Sequence, residues 1–157
     1  MTDDADNVFR QAHEPLEALL RAHLLAVIGG HFAEALQLLQ TWQRALQAHI
    51  ELEETQLLPH IPDHARWAAR VYELEHKRIS ALATDYQHLV QAVASRLPAS
   101  GSQTRAAASL HVLDAAHALR HLLEHHHQRE EKALADELPL VLQRSVLLRE
   151  QADPASR

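Results

Sequence analysis

The sequence predicts an all-α protein: an up-down-up-down antiparallel four-helix bundle with a short C-terminal fifth helix. Three observations predict it. Apolar residues recur at three- and four-residue steps through four long segments, the pattern of helices that bury one face. The chain has 157 residues, only 3 glycines and 4% aromatic residues, with alanine and leucine abundant, a composition that favours packed helices over a sheet. The breaks between segments are short, and short links between long amphipathic helices make antiparallel neighbours.

The first helical pattern covers about residues 5–28 and aligns Phe9, His13, Leu16, Leu20, Leu24 and Val27 on one face. Pro15 disturbs it: a proline inside a helix costs about 3 kcal/mol, so the regular helix is expected to start near Glu14 or to bend there. Gly29-Gly30 end the element. The second helix is expected from about Phe32 to Leu58, with Ala35, Leu38, Leu39, Trp42, Leu46, His49, Glu53 and Leu57 inward, and Pro59 and Pro62 closing it. The third, about Ala65 to Leu97, carries Tyr72, His76, Ile79, Ala83, Tyr86 and Val90. A loop from Pro98 to Gln103 follows. The fourth, about Arg105 to Leu138, carries Leu119, Leu122, Leu123, His126, Glu130, Ala133 and Leu134, and Pro139 ends it. Residues 140–150 form a short amphipathic piece expected to cap the bundle, and residues 151–157 have the character of a disordered tail. By length the chain is a single domain, 1–157, with the bundle over about 5–138.

Bulk properties exclude several classes. A net charge of −6 and a pI near 6.1 provide no basic field for nucleic acid or anionic lipid. No apolar stretch approaches the roughly 20 residues of a membrane span, and the acidic N-terminus has no signal-peptide pattern. The absence of cysteine excludes disulfides and thiolate ligands. A cytoplasmic protein that binds neither nucleic acid nor membrane is expected, and nothing in the chain identifies a protein partner.

The unusual residue is histidine, 14 of 157. His49-x-x-x-Glu53 and its near copy His126-x-x-x-Glu130 each follow a helix with a solitary inward histidine, His13 or His76. In so histidine-rich a chain the spacing alone is weak, since His13-x-x-x-Glu17 and His127-x-x-x-Glu131 also occur. Mirror placement about the turns raises it. Positions 13 and 49 are centred on 31, beside Gly29-Gly30; 76 and 126 are centred on Gly101; 49 and 76 are centred between Pro62 and Asp63. At 1.5 Å per residue, His49 lies about 27 Å from the first turn and about 15 Å from the second. All four helices therefore present a histidine at one level, toward the end that holds both termini.

Residues i and i+4 share a helix face, so each His/Glu pair can place a ring nitrogen and a carboxylate oxygen on one ion or bridge two. Imidazole with carboxylate suits iron, manganese or zinc. The candidate metal ligands are His13, His49, Glu53, His76, His126 and Glu130, with Glu53 and Glu130 bridging, helices 1 and 2 serving one ion and helices 3 and 4 the other. Six ligands on two ions leave open positions for a bridging oxo or hydroxo group, water or a diatomic gas, and iron makes such positions useful. No separate catalytic residue stands out. His23 is too close to the first turn, a mismatch of about 20 Å, and is expected to be structural. His125 and His127 point about 100° to either side of His126. His117 with His121, and His60 with His64, are expected to be solvated. Tyr72, one turn before His76, fits either the core or a hydrogen bond to a metal-bound ligand. Glu54 and Glu131 are expected on the surface, with Glu131 a substitute for Glu130.

Four segments carry a resemblance to a known family: AHEPLEALLRAH, LQAHIELEETQLLPHI, YELEHKRI and LLEHHHQREEKAL, which together span about residues 9–138. The chain resembles the hemerythrin-like, or HHE cation-binding, family. The resemblance implies a four-helix bundle around a non-heme, oxo- or hydroxo-bridged centre of two iron ions. Oxygen-carrying hemerythrins have His-x-x-x-His on the third helix and His-x-x-x-x-Asp on the fourth; here Tyr72 and Ser80 flank His76, and Glu130 stands on the fourth helix. Four histidines with two glutamates look more like the iron-centre repair proteins and the hemerythrin domain of the iron-sensing F-box ubiquitin-ligase subunit, whose additional domains have no counterpart in this sequence. The function so implied is a di-iron protein handling O2, NO, peroxide or iron itself. The alternatives are an enzyme of iron-centre repair or peroxide removal, and a metal-free helical interaction module.

Overall fold

The computed structural model describes residues 6–97 and 101–149, and among these all regular structure is helical. Helix α1 (Val8–Ile28) is capped by Asn7, whose side chain accepts the backbone N–H of Arg10 at 3.1 Å. The helix continues through Pro15, so the expected start near Glu14 is overturned. Val8 and Phe9, buried ahead of the proline, hold the first turns; each contributes roughly 1.5–3 kcal/mol, enough to offset the proline's cost. The chain then reverses at Gly30, whose φ of +72° lies in the left-handed region that side chains disfavour.

Helix α2 (Phe32–Leu52) continues as a π-helical turn (Glu53–Leu57) and a 3-10 turn (Leu58–His60). Helix α3 (Ala69–Arg96) starts later than the expected Ala65. The cause is tertiary: the Arg66 N–H donates to the Glu137 carboxylate at 2.5 Å, and the Arg129 guanidinium lies 4.4 Å over the Trp67 ring. Those contacts hold the approach to α3 as a turn. Helix α4 (Ser102–Arg129) starts earlier than Arg105, with the Arg105 N–H donating to Gly101 O at 3.1 Å. It leads through a second π-helical turn (Glu130–Leu134) into α5 (Ala135–Glu137), and α6 (Leu140–Leu147) completes the order. The expectations for residue 5, for 98–100 of the loop, for the end of the capping helix at 150 and for the tail at 151–157 lie outside the described residues.

Helix α1 packs on α2, α2 on α3, α3 on α4 and α4 back on α1, while α6 packs on α1, α2 and the Glu53–Leu57 turn. The buried apolar residues form two clusters. The larger holds Leu16 to Val27 of α1, Phe32 to Ile50 of α2, Ile79 to Val90 of α3 and Val112 to Leu123 of α4. The smaller holds Val8, Phe9 and Ala12, then Leu57, Leu58, Tyr72 and Leu134, together with Leu138, Val146 and Leu147 around α6. Each helix thus leaves one cluster and enters the other, α1 and α3 in one sense, α2 and α4 in the opposite. This order is compatible with the expected antiparallel bundle. At the far end the Arg105 guanidinium donates to Gly30 O at 2.7 Å and Leu97 O at 3.1 Å, tying two links together. Among the described residues no helix is long and apolar enough to cross a membrane.

Candidate metal centre

Between the two apolar clusters lies a polar layer. The structure brings together all six residues singled out in the sequence: His13 from α1, His49 from α2, Glu53 from the first π turn, His76 from α3, His126 from α4 and Glu130 from the second π turn. His13, Glu53, His76, His126 and Glu130 are buried, and His49 is 11% exposed. They form two sets of four that share both glutamates, His13–His49–Glu53–Glu130 and Glu53–His76–His126–Glu130. Within each set the donor atoms lie within 4.8 Å of one another.

The two π turns explain how the carboxylates are presented. The Glu53 carbonyl accepts from the Leu58 N–H and the Glu130 carbonyl from the Ala135 N–H, five residues on instead of four. π turns of this kind frequently occur at functional sites. Here each allows two consecutive glutamates to meet one imidazole from opposite sides. Glu53 Oε2 lies 3.1 Å from His76 Nε2, while Glu54 Oε1 accepts from His76 Nδ1 at 2.9 Å. Glu130 Oε2 lies 3.0 Å from His13 Nε2, while Glu131 Oε1 accepts from His13 Nδ1 at 2.8 Å. His126 Nε2 contacts Glu130 Oε1, and its Nδ1 is 3.3 Å from Glu75 Oε1, which also accepts from Arg129 Nε at 3.0 Å. Three of the four imidazoles thus turn one nitrogen to the layer and the other to an outer carboxylate, the arrangement that fixes tautomer and ring orientation in metal-binding histidines.

Apart from the hydrogen bond between His13 Nε2 and Glu130 Oε2, the inner contacts are short without being hydrogen bonds. His49 Nε2 lies 2.7 Å from Glu53 Oε1, yet both atoms are unsatisfied, as are Glu53 Oε2, His76 Nε2 and Glu130 Oε1. A buried polar atom left unsatisfied costs about 1–3 kcal/mol. Nitrogen and oxygen donors that converge without N–H groups aimed at acceptors are a donor set for a cation, and these buried groups can hold a metal ion.

Without a cation, protons take its place. Burial alone would lower the His13 pKa, but Glu130 and Glu131 outweigh it and raise the value from 6.5 to about 10. Against the same desolvation, Glu130 and Glu53 raise His76 to about 10, and Glu130 and Glu75 raise His126 to about 9. Burial pushes the Glu53 and Glu130 carboxyls up, yet the imidazoles hold both below 4.5, Glu130 well below.

Several expectations need correction. Glu54 and Glu131 do not merely cover the surface, and Glu131 does not replace Glu130: both are outer partners of layer histidines. His127 turns away from the donor set as expected, but it is buried, and its ring stacks on His13 at 3.9 Å. Burial lowers its pKa. His23 is structural, with Nδ1 donating to Ala35 O at 2.7 Å and Nε2 accepting from the Tyr86 hydroxyl at 2.6 Å. His60, His64, His117, His121 and His125 are exposed. Glu75 went unnoticed in the sequence. The available signal for the other outer carboxylates was the doubled glutamate in both motifs. Tyr72 belongs to the smaller apolar cluster, and its buried hydroxyl has no partner.

Fold and site together define an all-helical protein with a buried histidine–glutamate cluster able to hold a metal ion. No protein-family model, curated protein or solved structure matches the chain.

Proposed function

We propose that the chain is a hemerythrin-like, up-down-up-down four-helix bundle that binds two iron ions and uses them to handle O2, NO, peroxide or iron itself. In this reading His13 and His49 hold one ion, His76 and His126 the other, and Glu53 and Glu130 bridge them. The observation that carries it is the pair of donor sets sharing both carboxylates, with five inner donor atoms left without hydrogen bonds. Carboxylate with imidazole is a donor mix suited to iron, and two ions on six ligands supply open positions for a small exogenous ligand. The chain's own work is to orient the donors. Glu54, Glu75 and Glu131 fix three imidazoles, and the apolar clusters on either side keep bulk water from the layer.

The test is metal analysis of protein loaded anaerobically with ferrous iron, followed by absorption spectra under nitrogen, air and NO. About two irons per chain, with near-ultraviolet charge-transfer bands that respond to the gas, are expected. Removing the metal should lower Tm, since a ligand present at 100 times its Kd adds about 2.7 kcal/mol of stability. Protein that takes up no iron and remains colourless would defeat the reading.

A further inference from the structure

A groove of about 880 Å3 runs between α1 and α4, and two of its wall residues contact His13 of the polar layer. Its walls include the exposed Glu17, His117, His121 and Glu124, with the buried His127 and the half-buried Glu131. Two of these touch the layer through the same residue: Glu131 Oε1 accepts from His13 Nδ1 at 2.8 Å, and the His127 ring stacks on His13 at 3.9 Å. A second groove, between α2 and α3, is lined by glutamines with Arg44, Ser80 and Thr84 and offers neither carboxylate nor imidazole.

The spacing of Glu17 and His127 is informative. Glu17 Oε1 lies 3.6 Å from His127 Nδ1, and the Glu17 side chain is 62% exposed while that of His127 is 9% exposed. At 3.6 Å the two atoms are too far apart for a good hydrogen bond. Two ligands each about 2.1 Å from a tetrahedral ion stand about 3.4 Å apart, close to the separation found. One member of this pair faces solvent and the other leans on a residue of the layer.

We propose that the α1–α4 groove is the loading path of the buried centre, with Glu17 and His127 taking a divalent cation from solvent and passing it to the donor set that begins at His13. This rests on the metal-binding reading above. The path ends on the His13–His49 half of the layer, so that half fills first.

Stopped-flow uptake of Co2+ by the metal-free full chain tests it, because the ion's visible bands report coordination without turnover. Glu17→Gln is expected to slow uptake at least tenfold and to leave the final spectrum and the stoichiometry unchanged. His127→Gln is expected to slow it similarly. Glu14→Gln removes the same charge from exposed α1 surface outside the groove and should keep the parental rate. Should the His127 variant fail to fold, the comparison of Glu17→Gln with Glu14→Gln decides alone. Equal rates in the parent and Glu17→Gln overturn the path while leaving the metal site standing. Equal slowing by Glu14→Gln reduces the effect to general charge attraction and also overturns it. A parent that takes up no Co2+ defeats the metal-binding reading itself.

Discussion

Tyr72 carries a hydroxyl into the apolar cluster below the polar layer and finds no partner there. Burial and the charges of Glu137 and Glu130 raise its pKa, so it enters the layer's surroundings as a neutral O–H donor. In the metal-free protein that donor is a cost, and Tyr72→Phe should raise stability by about 1 kcal/mol, within the usual penalty for an unsatisfied buried hydroxyl. Calorimetry of chelated parent and variant measures it; a lower Tm in the variant would show that the hydroxyl is already satisfied. The six layer residues were legible one by one, because each replaces a core residue on an apolar stripe at a height fixed by its distance from a turn. His23 was separable from His13 by the same argument. Glu54 and Glu131 were not, because on a regular helix a residue adjacent to an inward one points about 100° away. The π turns bring both neighbours to the same ring.

At the scale of elements, the sequence expected α2 and α4 to run as unbroken helices to Leu58 and Leu138, and both contain a π turn at the layer. Apolar periodicity has no signature for one wider turn, so it could not be read in advance. The late start of α3 was hidden for a different reason: the turn before it is held by Glu137 and Arg129, far away in sequence. The short helix α6 was legible as an amphipathic piece after Pro139. Its docking depends on Gln143, 2% exposed, whose side-chain amide donates to Ala135 O at 2.8 Å and Leu138 O at 2.9 Å. Gln143→Ala leaves two inward carbonyls unpaired and should cost about 1–3 kcal/mol. Chemical denaturation reads the loss directly, and a midpoint unmoved by the substitution would show that α6 docks by apolar contact alone.

For the whole molecule, the protonation of the layer sets the pH range of the metal-free state. His13, His76 and His126 are raised above 6.5, so their stabilisation is complete below pH 6.5 and is lost as pH rises through about 9 to 10. Glu53 and Glu130 are held below 4.5, so their stabilisation is complete above that value and is lost as pH falls through their lowered pKa values. His127 and His23, whose pKa values burial lowers, lose stability as pH falls below 6.5, so chelated protein should be most stable near pH 6.5 and should lose Tm steadily from there to pH 10. Metal binding displaces the same protons, so affinity strengthens with pH and the loaded protein should lose less over that alkaline range. Thermal melts across pH with chelator and with iron test both arms; a flat alkaline limb in the chelated protein would overturn the assignment.

The charged seam also sets how the molecule comes apart. Apolar side chains fill both sides of it as separate clusters, so among the described residues no buried apolar cluster joins the compartment around α6 to the long one. Stripped of cations, the smaller compartment should fray on its own, and amide hydrogens near Phe9 and Val146 should exchange with deuterium well ahead of those near Leu39 and Ile79. A bound ion pair would act as a rivet through all four rods, and the two exchange rates would converge.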